Sequence, residues 1–259
     1  MTDRVYEGLL VAVLFAFILA QAVFAAFPGI DLAVSGLFAN GTAGFPWAKH
    51  MPSALNLVLR RLGEGMVLLL VLWWVYGAVT GSLNRNELRA WALMPLGVAV
   101  SSGGIVNLLL KRHVGRARPK DITAFGGSAD FTPAWRVTNE CTRNCSFTSG
   151  EVALAASIAI AAVVLLWPHL GRFRARMVAI FVAVVYVGVI ALLRIGLGRH
   201  FLSDAIFSTL ISAAVVLVLY RVLGIGQARV AFDALLPLRV CRKGFEVCRL
   251  QARSWLRRA

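Results

Sequence analysis

Long apolar runs separated by short polar segments dominate the pattern of this chain. Six such runs occupy residues 9–27, 66–80, 91–110, 152–167, 177–193 and 205–223. A helix needs about 20 apolar residues to cross about 30 Å of hydrocarbon, and the shorter runs reach that length with their small or interfacial flanks. The pattern predicts an all-α, polytopic membrane protein with six transmembrane helices in residues 1–223, followed by a tail at residues 224–259.

Composition supports a membrane protein. Of the 259 residues, 59% are apolar and 15% are charged, a balance unlike that of soluble globular proteins. The first run could instead be a secretory signal, because Ala20, Gln21 and Ala22 resemble a cleavage site. Its apolar core is longer than the usual length of about 7 to 15 residues, and little positive charge precedes it. We therefore expect this run to be the first membrane helix.

The distribution of arginine predicts the orientation of the chain. Six spans place both termini on one side, together with two linkers and the tail. These segments carry the arginines Arg85, Arg89, Arg172, Arg174, Arg176 and Arg221. Short basic loops stay in the cytoplasm. This face is therefore predicted to be cytoplasmic, with the loop at residues 111–150 on the opposite face.

The net charge of +15 raises the question of nucleic acid binding. The charge is divided among loops on both faces rather than gathered into one aromatic-laced patch, which argues against that function. Anionic lipid headgroups are the expected counter-charge. In the tail, Leu238, Cys241, Phe245 and Cys248 recur at helical spacing among basic residues, which predicts an amphipathic helix lying on the inner leaflet.

The four cysteines fall into two pairs. Cys141 and Cys145 lie in the long non-cytoplasmic loop, where an oxidising compartment permits a disulfide. A zinc site is the alternative, but no second Cys/His pair lies nearby. Cys241 and Cys248 are about 10 Å apart along a helix, too far for a disulfide, and we expect free thiols.

His200 and Asp204 are the first candidate catalytic pair. They are four residues apart at the start of the sixth run, so on a helix they share a face and the carboxylate can accept from one imidazole nitrogen. The other nitrogen is then free to attack phosphorus. A lone histidine near a helix end is more often structural. Arg194 strengthens the catalytic interpretation, because an arginine ending an apolar run must reach the interface or bind an anion.

Two further groups of residues lie where apolar runs end. Ser149 and Gly150 begin the fourth run, where unsatisfied helix amides can bind an anion, although an ordinary serine N-cap is the simpler interpretation. Lys111 ends the third run and Arg118 follows in the loop. Phosphoryl transfer depends on placed cations, which Lys111, Arg118 and Arg194 could supply. For the other basic residues of this loop we expect contact with lipid headgroups; these are Arg112, Arg116 and Lys120.

Together the three groups resemble the type 2 phosphatidic acid phosphatase (PAP2) superfamily. They read Lys111-x6-Arg118-Pro119, then Thr148-Ser149-Gly150-Glu151, then Leu193-Arg194-x5-His200-x3-Asp204. The resemblance implies a bundle of six transmembrane helices, with His200 as nucleophile and Asp204 as its orienting partner. It implies phosphate binding by Lys111, Arg118, Ser149, Gly150 and Arg194, with no metal and no cofactor.

Three positions depart from the family pattern. Thr148 stands where the family has proline, and Leu193 where it has serine. Glu151 stands where the family has the histidine that acts as general acid. A carboxylic acid can serve if burial and the nearby phosphate keep it protonated when needed, so Glu151 is the expected acid, with His113 as the alternative.

The resemblance implies a lipid phosphatase of the bacterial inner membrane, whose site faces the periplasm and reacts through a phosphohistidine. The loop motifs at residues 125–127 and 141–147 are similar to those of bacterial lipid A phosphatases. Undecaprenyl diphosphate, phosphatidylglycerophosphate and phosphatidate remain alternative substrates, and membrane lipids are the expected partners. Two other functions stay open: a non-hydrolytic lipid-phosphate binding protein or transporter, and a lipid-to-lipid phosphotransferase.

Overall fold

The computed structural model describes residues 3–50 and 53–226. Within these ranges the regular structure is helical, apart from one isolated β-bridge between Ile122 and Ala129. The predicted amphipathic tail helix, with Cys241 and Cys248, lies outside the described residues.

The helices follow one another in a simple order. They are α1 (Asp3–Ala26), α2 (Gly29–Gly36), α3 (Pro46–His50), α4 (Ser53–Val79), α5 (Arg85–Val98), α6 (Lys111–His113), α7 (Gly150–Leu166), α8 (Phe173–Gly196) and α9 (Leu202–Val222). A π-helical segment, Ala99–Leu110, joins α5 to α6 and makes them one continuous helix.

Six of the described helical stretches are long and apolar enough to cross a membrane. They are Arg4–Ala26, Arg61–Val79, Arg85–His113, Gly150–His169, Phe173–Gly196 and Leu202–Val222. The predicted all-α architecture with six transmembrane helices is therefore confirmed. The second membrane helix is part of α4, which begins at Ser53, well before residue 66, where the predicted apolar run starts.

The centre of the bundle is formed by α7 and α9. Each is 56% buried over its apolar window, against 6% for α1 and 11% for α8. Lipid offers no hydrophobic driving force for helix association, so membrane helices associate through close packing of small residues and polar contacts between helices. Both occur here: α7 buries five alanines, and Ser212 Oγ of α9 donates to the carbonyl of Ala153 at 3.0 Å.

The peripheral helices present large apolar side chains outward. Phe15 and Ile18 of α1 and Phe181 of α8 are each about two-thirds exposed. Patches of this kind are rare on soluble monomers. On this chain they are the surfaces that contact lipid.

A folded cap covers one end of the bundle. The loop between α6 and α7 packs through Phe147 against Phe207 of α9, and through Phe125 against Phe45 in the segment between α2 and α3. A disulfide joins Cys141 and Cys145 in this loop, with Cα atoms 5.5 Å apart. The cap therefore fixes the polar loops above the helix ends where the sequence motifs lie.

Candidate active site

The sequence motifs meet at the capped end of the bundle. Lys111 lies where the third membrane helix ends, Glu151 where the fourth begins, and Arg194 in the last turn of the fifth. His200 lies in the turn just before the sixth. Because consecutive spans alternate in direction, these four positions lie at one membrane face.

A cavity of about 300 Å³ opens among these residues. Its lining carries four cationic side chains: Lys111, Arg118, Arg194 and Arg199. The backbone of Gly150 and the side chain of Glu151 complete this part of the wall. Four cations and the first residue of a helix around one small space make a site for a multiply charged anion such as a phosphate.

His200 is fully buried in the turn between α8 and α9. Its Nδ1 lies 2.8 Å from the carbonyl oxygen of Ser146, which can only accept, so Nδ1 carries the proton. Nε2 therefore has a free lone pair, and this atom has no hydrogen-bond partner in the part of the chain that the structure describes. Burial lowers the pKa of the imidazole below 6.5, which favours the neutral, nucleophilic form.

Asp204 contacts His200 differently from the sequence-based expectation. The helix begins at Leu202, so His200 precedes it instead of sharing a helical face with Asp204. The carboxylate lies 3.7 Å from Nδ1, too far for a good hydrogen bond. Its Oδ2 accepts from Ser146 Oγ at 2.5 Å and from the Phe201 backbone amide at 2.9 Å. Asp204 thus fixes the segment that holds the imidazole and keeps a negative charge beside it.

The prediction for Arg116 was wrong. It does not face lipid headgroups, because its side chain is fully buried at the centre of an ionic network. Nη1 lies 2.7 Å from Asp204 Oδ1, and Nη2 lies 2.8 Å from Asp31 Oδ2. The guanidinium also covers the ring of Phe201 at 4.1 Å. Nε of Arg116 donates a hydrogen bond to the carbonyl of Thr132 at 2.8 Å.

Asp31 of α2 is the second carboxylate of this network. It accepts from the backbone amide of Ser203 at 2.9 Å and from Ser203 Oγ at 2.5 Å. Burial raises the pKa of Asp31, and the Arg116 guanidinium opposes that shift. The network therefore ties α2, the cap loop and the first turn of α9 together beside His200.

Glu151 lies between a cation and the candidate nucleophile. Its Oε1 is 2.9 Å from Arg194 Nη2, and its Oε2 is 3.9 Å from His200 Nε2. This is a suitable place for a group that exchanges a proton with an atom bonded to Nε2. His113, the alternative acid, is exposed and donates from Nδ1 to Leu109 of its own helix at 2.7 Å, and it is absent from the cavity wall.

Ser149 and Gly150 have different roles in the structure. Ser149 is fully buried, and its Oγ accepts from the Val152 amide at 3.4 Å as the N-cap of α7. It is not part of the cavity wall, whereas Gly150 is. Of the predicted phosphate-binding residues, the structure brings Lys111, Arg118, Gly150 and Arg194 to the cavity.

Two glycines shape the turn that carries His200. Gly198 has φ +63°, a conformation that disfavours residues with a side chain, and the ring of Phe45 lies where its Cβ would be. At Gly196 the ring of Trp47 fills that space. The segment between α2 and α4, which contains Phe45 and Trp47, thus packs directly on this turn.

Several residues of the site escaped the sequence analysis. Arg199 lines the cavity, and its position next to His200 was an available signal. Arg116, Asp31 and Ser146 act through contacts between distant segments, for which the sequence carries no local signal. Among the described residues, no group of three or more His, Cys, Asp or Glu side chains is placed to hold a metal ion.

Comparisons with known proteins agree with this geometry. The family model for the PAP2 superfamily matches residues 92–225. The chain is 31% identical to a lipid A 4'-phosphatase of Rhizobium leguminosarum, over 75% of this chain and 87% of that protein. It is 30% identical to a lipid A 4'-phosphatase of Rhizobium etli, over 75% and 79% of the two chains. A lipid A 4'-phosphatase of Francisella tularensis subsp. novicida is 26% identical, over 71% and 82%.

One solved structure shares the fold. It is a PAP2-type phosphatidylglycerolphosphate phosphatase from Bacillus subtilis, with a TM-score of 0.51 and 21% identity over 86% of this chain and 98% of the other. The family match extends over more than half of the chain and includes the motif residues that line the cavity. This chain therefore belongs to the PAP2 superfamily, and it is a multi-pass membrane lipid phosphatase.

Proposed function

We propose that this protein removes a phosphate from lipid A, an acylated and phosphorylated glucosamine disaccharide, through a phosphohistidine at Nε2 of His200. The observation that carries the proposal is the Nε2 atom of His200, which has no hydrogen-bond partner among the described residues and lies beside a cavity lined by four cations. The three lipid A phosphatases similar to this chain support the choice of substrate.

In the first step, Nε2 attacks phosphorus in line with the sugar oxygen that leaves. A P–N bond forms and the P–O bond to the sugar breaks. Protonated Glu151 gives its proton to the leaving oxygen, which departs as an alcohol. The proton on Nδ1 stays in its hydrogen bond to Ser146, so the phosphorylated imidazole remains oriented.

In the second step, water attacks the phosphohistidine. Glu151, now a carboxylate, takes a proton from the water as it approaches phosphorus, and the P–N bond breaks to restore neutral His200. Inorganic phosphate leaves and Glu151 is again protonated. Glu151 is thus the general acid of the first step and the general base of the second, because the second step resembles the reverse of the first with water in place of the sugar.

Arg194 links binding to this proton exchange. In the structure it pairs with Glu151 at 2.9 Å, and a bound phosphate offers it oxygens of higher charge. Phosphate binding would draw Arg194 away and release Glu151 toward the leaving oxygen. The proton that Glu151 needs can arrive on the substrate, since a phosphomonoester with a second pKa of about 6 is partly monoanionic near neutral pH.

We also propose that the enzyme lies in the inner membrane with this site facing the periplasm. The arginines of the opposite face support that orientation under the positive-inside rule. A disulfide in the cap is compatible with an oxidising compartment.

The test is phosphate release by the purified protein, in EDTA, from lipid A bisphosphate, undecaprenyl diphosphate, phosphatidylglycerophosphate and phosphatidate. We expect the highest kcat/KM on lipid A, and an acid-labile phosphohistidine trapped by rapid quench. His200→Ala should lose several orders of magnitude in turnover and form no such intermediate. Retention of activity within tenfold would exclude His200 as nucleophile.

The same assay distinguishes a phosphatase from the two alternative functions, a lipid-phosphate binding protein and a phosphotransferase. Binding of lipid A without release of phosphate from any substrate would identify a binding protein. Recovery of the phosphate on an added lipid alcohol instead of in water would identify a phosphotransferase. Loss of turnover in EDTA on a soluble short-chain substrate, restored by one divalent ion, would contradict the metal-independent mechanism.

A further inference from the structure

The helix that carries Lys111 is π-helical over the twelve residues Ala99–Leu110. Its last turn is closed by the amide of Lys111 bonding the carbonyl of Val106, five residues earlier. Residues five apart in an α-helix are rotated by about 140°, whereas the i to i+5 pattern brings them toward one face. Ser102, Asn107 and Lys111 therefore all line the same cavity. Long π segments are rare, and π turns are frequent at functional sites.

Two of these side chains lie against the start of α7. Ser102 Oγ donates to the carbonyl of Gly150 at 2.8 Å. The amide of Asn107 lies so close to Gly150 that a Cβ there would be 2.8 Å from its Oδ1 and 3.1 Å from its Nδ2. Ser102 thus anchors the π segment to α7. Asn107 lies in the cavity wall against Gly150, the residue that precedes Glu151.

The cavity continues from the cations toward the membrane interior. Asn107 lies four residues, about one helical turn, before Lys111 and therefore deeper in the membrane. Tyr186 also lines the cavity and lies eight residues before Arg194 in α8, about 12 Å deeper. Glu64 lines the cavity from α4, near the start of the second membrane-spanning stretch, where its Oε2 pairs with Nη1 of Arg61 at 3.0 Å. Polar and ionisable side chains at membrane depth are costly and usually mark a functional pathway.

We propose that Asn107, Glu64 and Tyr186 form a subsite for the part of the substrate that leaves, and that this subsite selects a leaving group with hydroxyl or amide groups next to the phosphoester. The inference rests on the proposed function and specifies which groups of its substrate the subsite would recognise. The Asn107 amide can donate to and accept from a sugar substituent. The Glu64 carboxylate accepts from a hydroxyl or an amide N–H, and the Tyr186 hydroxyl can do either.

The selectivity follows from the cost of burying polar groups without partners. A prenyl or other hydrocarbon chain in this subsite would remove water from the Asn107 amide without replacing its hydrogen bonds. Sites built to bond a substrate hydroxyl or N–H discriminate strongly against analogues that lack it. An acylated amino sugar supplies these groups, whereas a polyprenyl phosphate supplies none beyond the phosphate itself.

The experiment compares two substrates in each variant of the full-length protein. Lipid A bisphosphate tests the whole site, and p-nitrophenyl phosphate tests the cations and His200 with a leaving group that has neither hydroxyl nor amide. We expect Asn107→Leu and Glu64→Leu, which remove the polar groups, to lower kcat/KM for lipid A at least about tenfold more than for the aryl phosphate. Asn107→Ala, which cannot clash, should show the same selective loss.

Leu108→Ala is the matched control, because Leu108 is the next residue of the π segment and is 56% exposed on its outer side. It should leave the ratio of the two kcat/KM values unchanged. Equal losses on both substrates in the Asn107 and Glu64 variants, or no loss on either, would overturn the subsite. Unfolding midpoints within a few degrees of the parent would establish that the variants are folded.

Failure of the proposed function has a different signature. If the parent enzyme hydrolyses other lipid phosphates but not lipid A, the substrate assignment fails. The subsite is then tested by kcat/KM for two other substrates. Phosphatidylglycerophosphate carries a free hydroxyl in its headgroup, whereas phosphatidate has none. An Asn107→Leu loss confined to the first would support the subsite, and equal losses would refute it. A parent enzyme inactive on every phosphate would refute both.

Discussion

Nη1 of Arg116 lies 2.7 Å from Oδ1 of Asp204, and neither side chain has any exposure to solvent. The same guanidinium pairs with Asp31 at 2.8 Å. Two carboxylates thus share one arginine, and Asp204 keeps its charge 3.7 Å from Nδ1 of His200. In the proposed mechanism, the charge of Asp204 lies beside the imidazole that becomes positive during attack on phosphorus. We therefore propose that Arg116 and Asp31 are positioning residues, which act through Asp204.

Arg116→Leu should destabilise the fold strongly. Removing one partner of a buried ionic network leaves the others charged and unpaired, which costs about 3–5 kcal/mol. Thermal unfolding in detergent would measure the change. Arg112→Leu is the matched control, because Arg112 is exposed in the same segment, and surface substitutions usually change stability by no more than about 0.5 kcal/mol. Equal effects of the two substitutions would contradict the role given to Arg116.

Glu151→Gln should reduce turnover most where the leaving group is poor. Proton transfer of this kind contributes roughly 10²–10⁴-fold, so a sugar phosphate should lose that much. An aryl phosphate or a diphosphate needs less protonation and should lose less. Glu7→Gln, an exposed carboxylate of α1, serves as control. If Glu151→Gln leaves both substrate classes unaffected, Glu151 is only a residue at the start of α7.

His200 should titrate below its ordinary value of 6.5, because burial lowers its pKa. The neutral imidazole then predominates at pH 7, and protonation of the nucleophile sets in only as the pH falls through the lowered pKa. The chain has four histidines, so ¹⁵N-histidine spectra are simple, and the signal missing in His200→Ala assigns the residue. A midpoint at or above 6.5 in the free enzyme would contradict the buried, neutral state.

The cysteines test the proposed orientation. We expect mass mapping after alkylation of intact cells to find Cys141 and Cys145 joined and Cys241 and Cys248 free. The first pair lies in the cap, where the structure has a disulfide. The second pair belongs to the tail that is predicted to be cytoplasmic. Free thiols at Cys141 and Cys145 would argue that the cap faces a reducing compartment.

The sequence by itself determined the membrane architecture and the identity of the chemical groups. Six apolar runs specify six spanning helices, because hydrocarbon leaves the backbone few alternatives to a helix. The alternation of spans then brings the ends that carry Lys111, Glu151, Arg194 and His200 to one face. These conclusions depend on length, hydropathy and order along the chain, all of which can be read from the residues.

Only the tertiary structure decided what each polar side chain contacts. Arg112 and Arg116 lie four residues apart in one basic segment, yet the first is exposed and the second is fully buried between two carboxylates. Asp31 and Arg116 are 85 positions apart in the chain, and their contact depends on how the cap packs on α9. The partner of His200 Nδ1 is a backbone carbonyl, which every residue possesses. A local pattern records the kind of group at each position, whereas hydrogen bonds and ion pairs between distant segments arise only when the chain is folded.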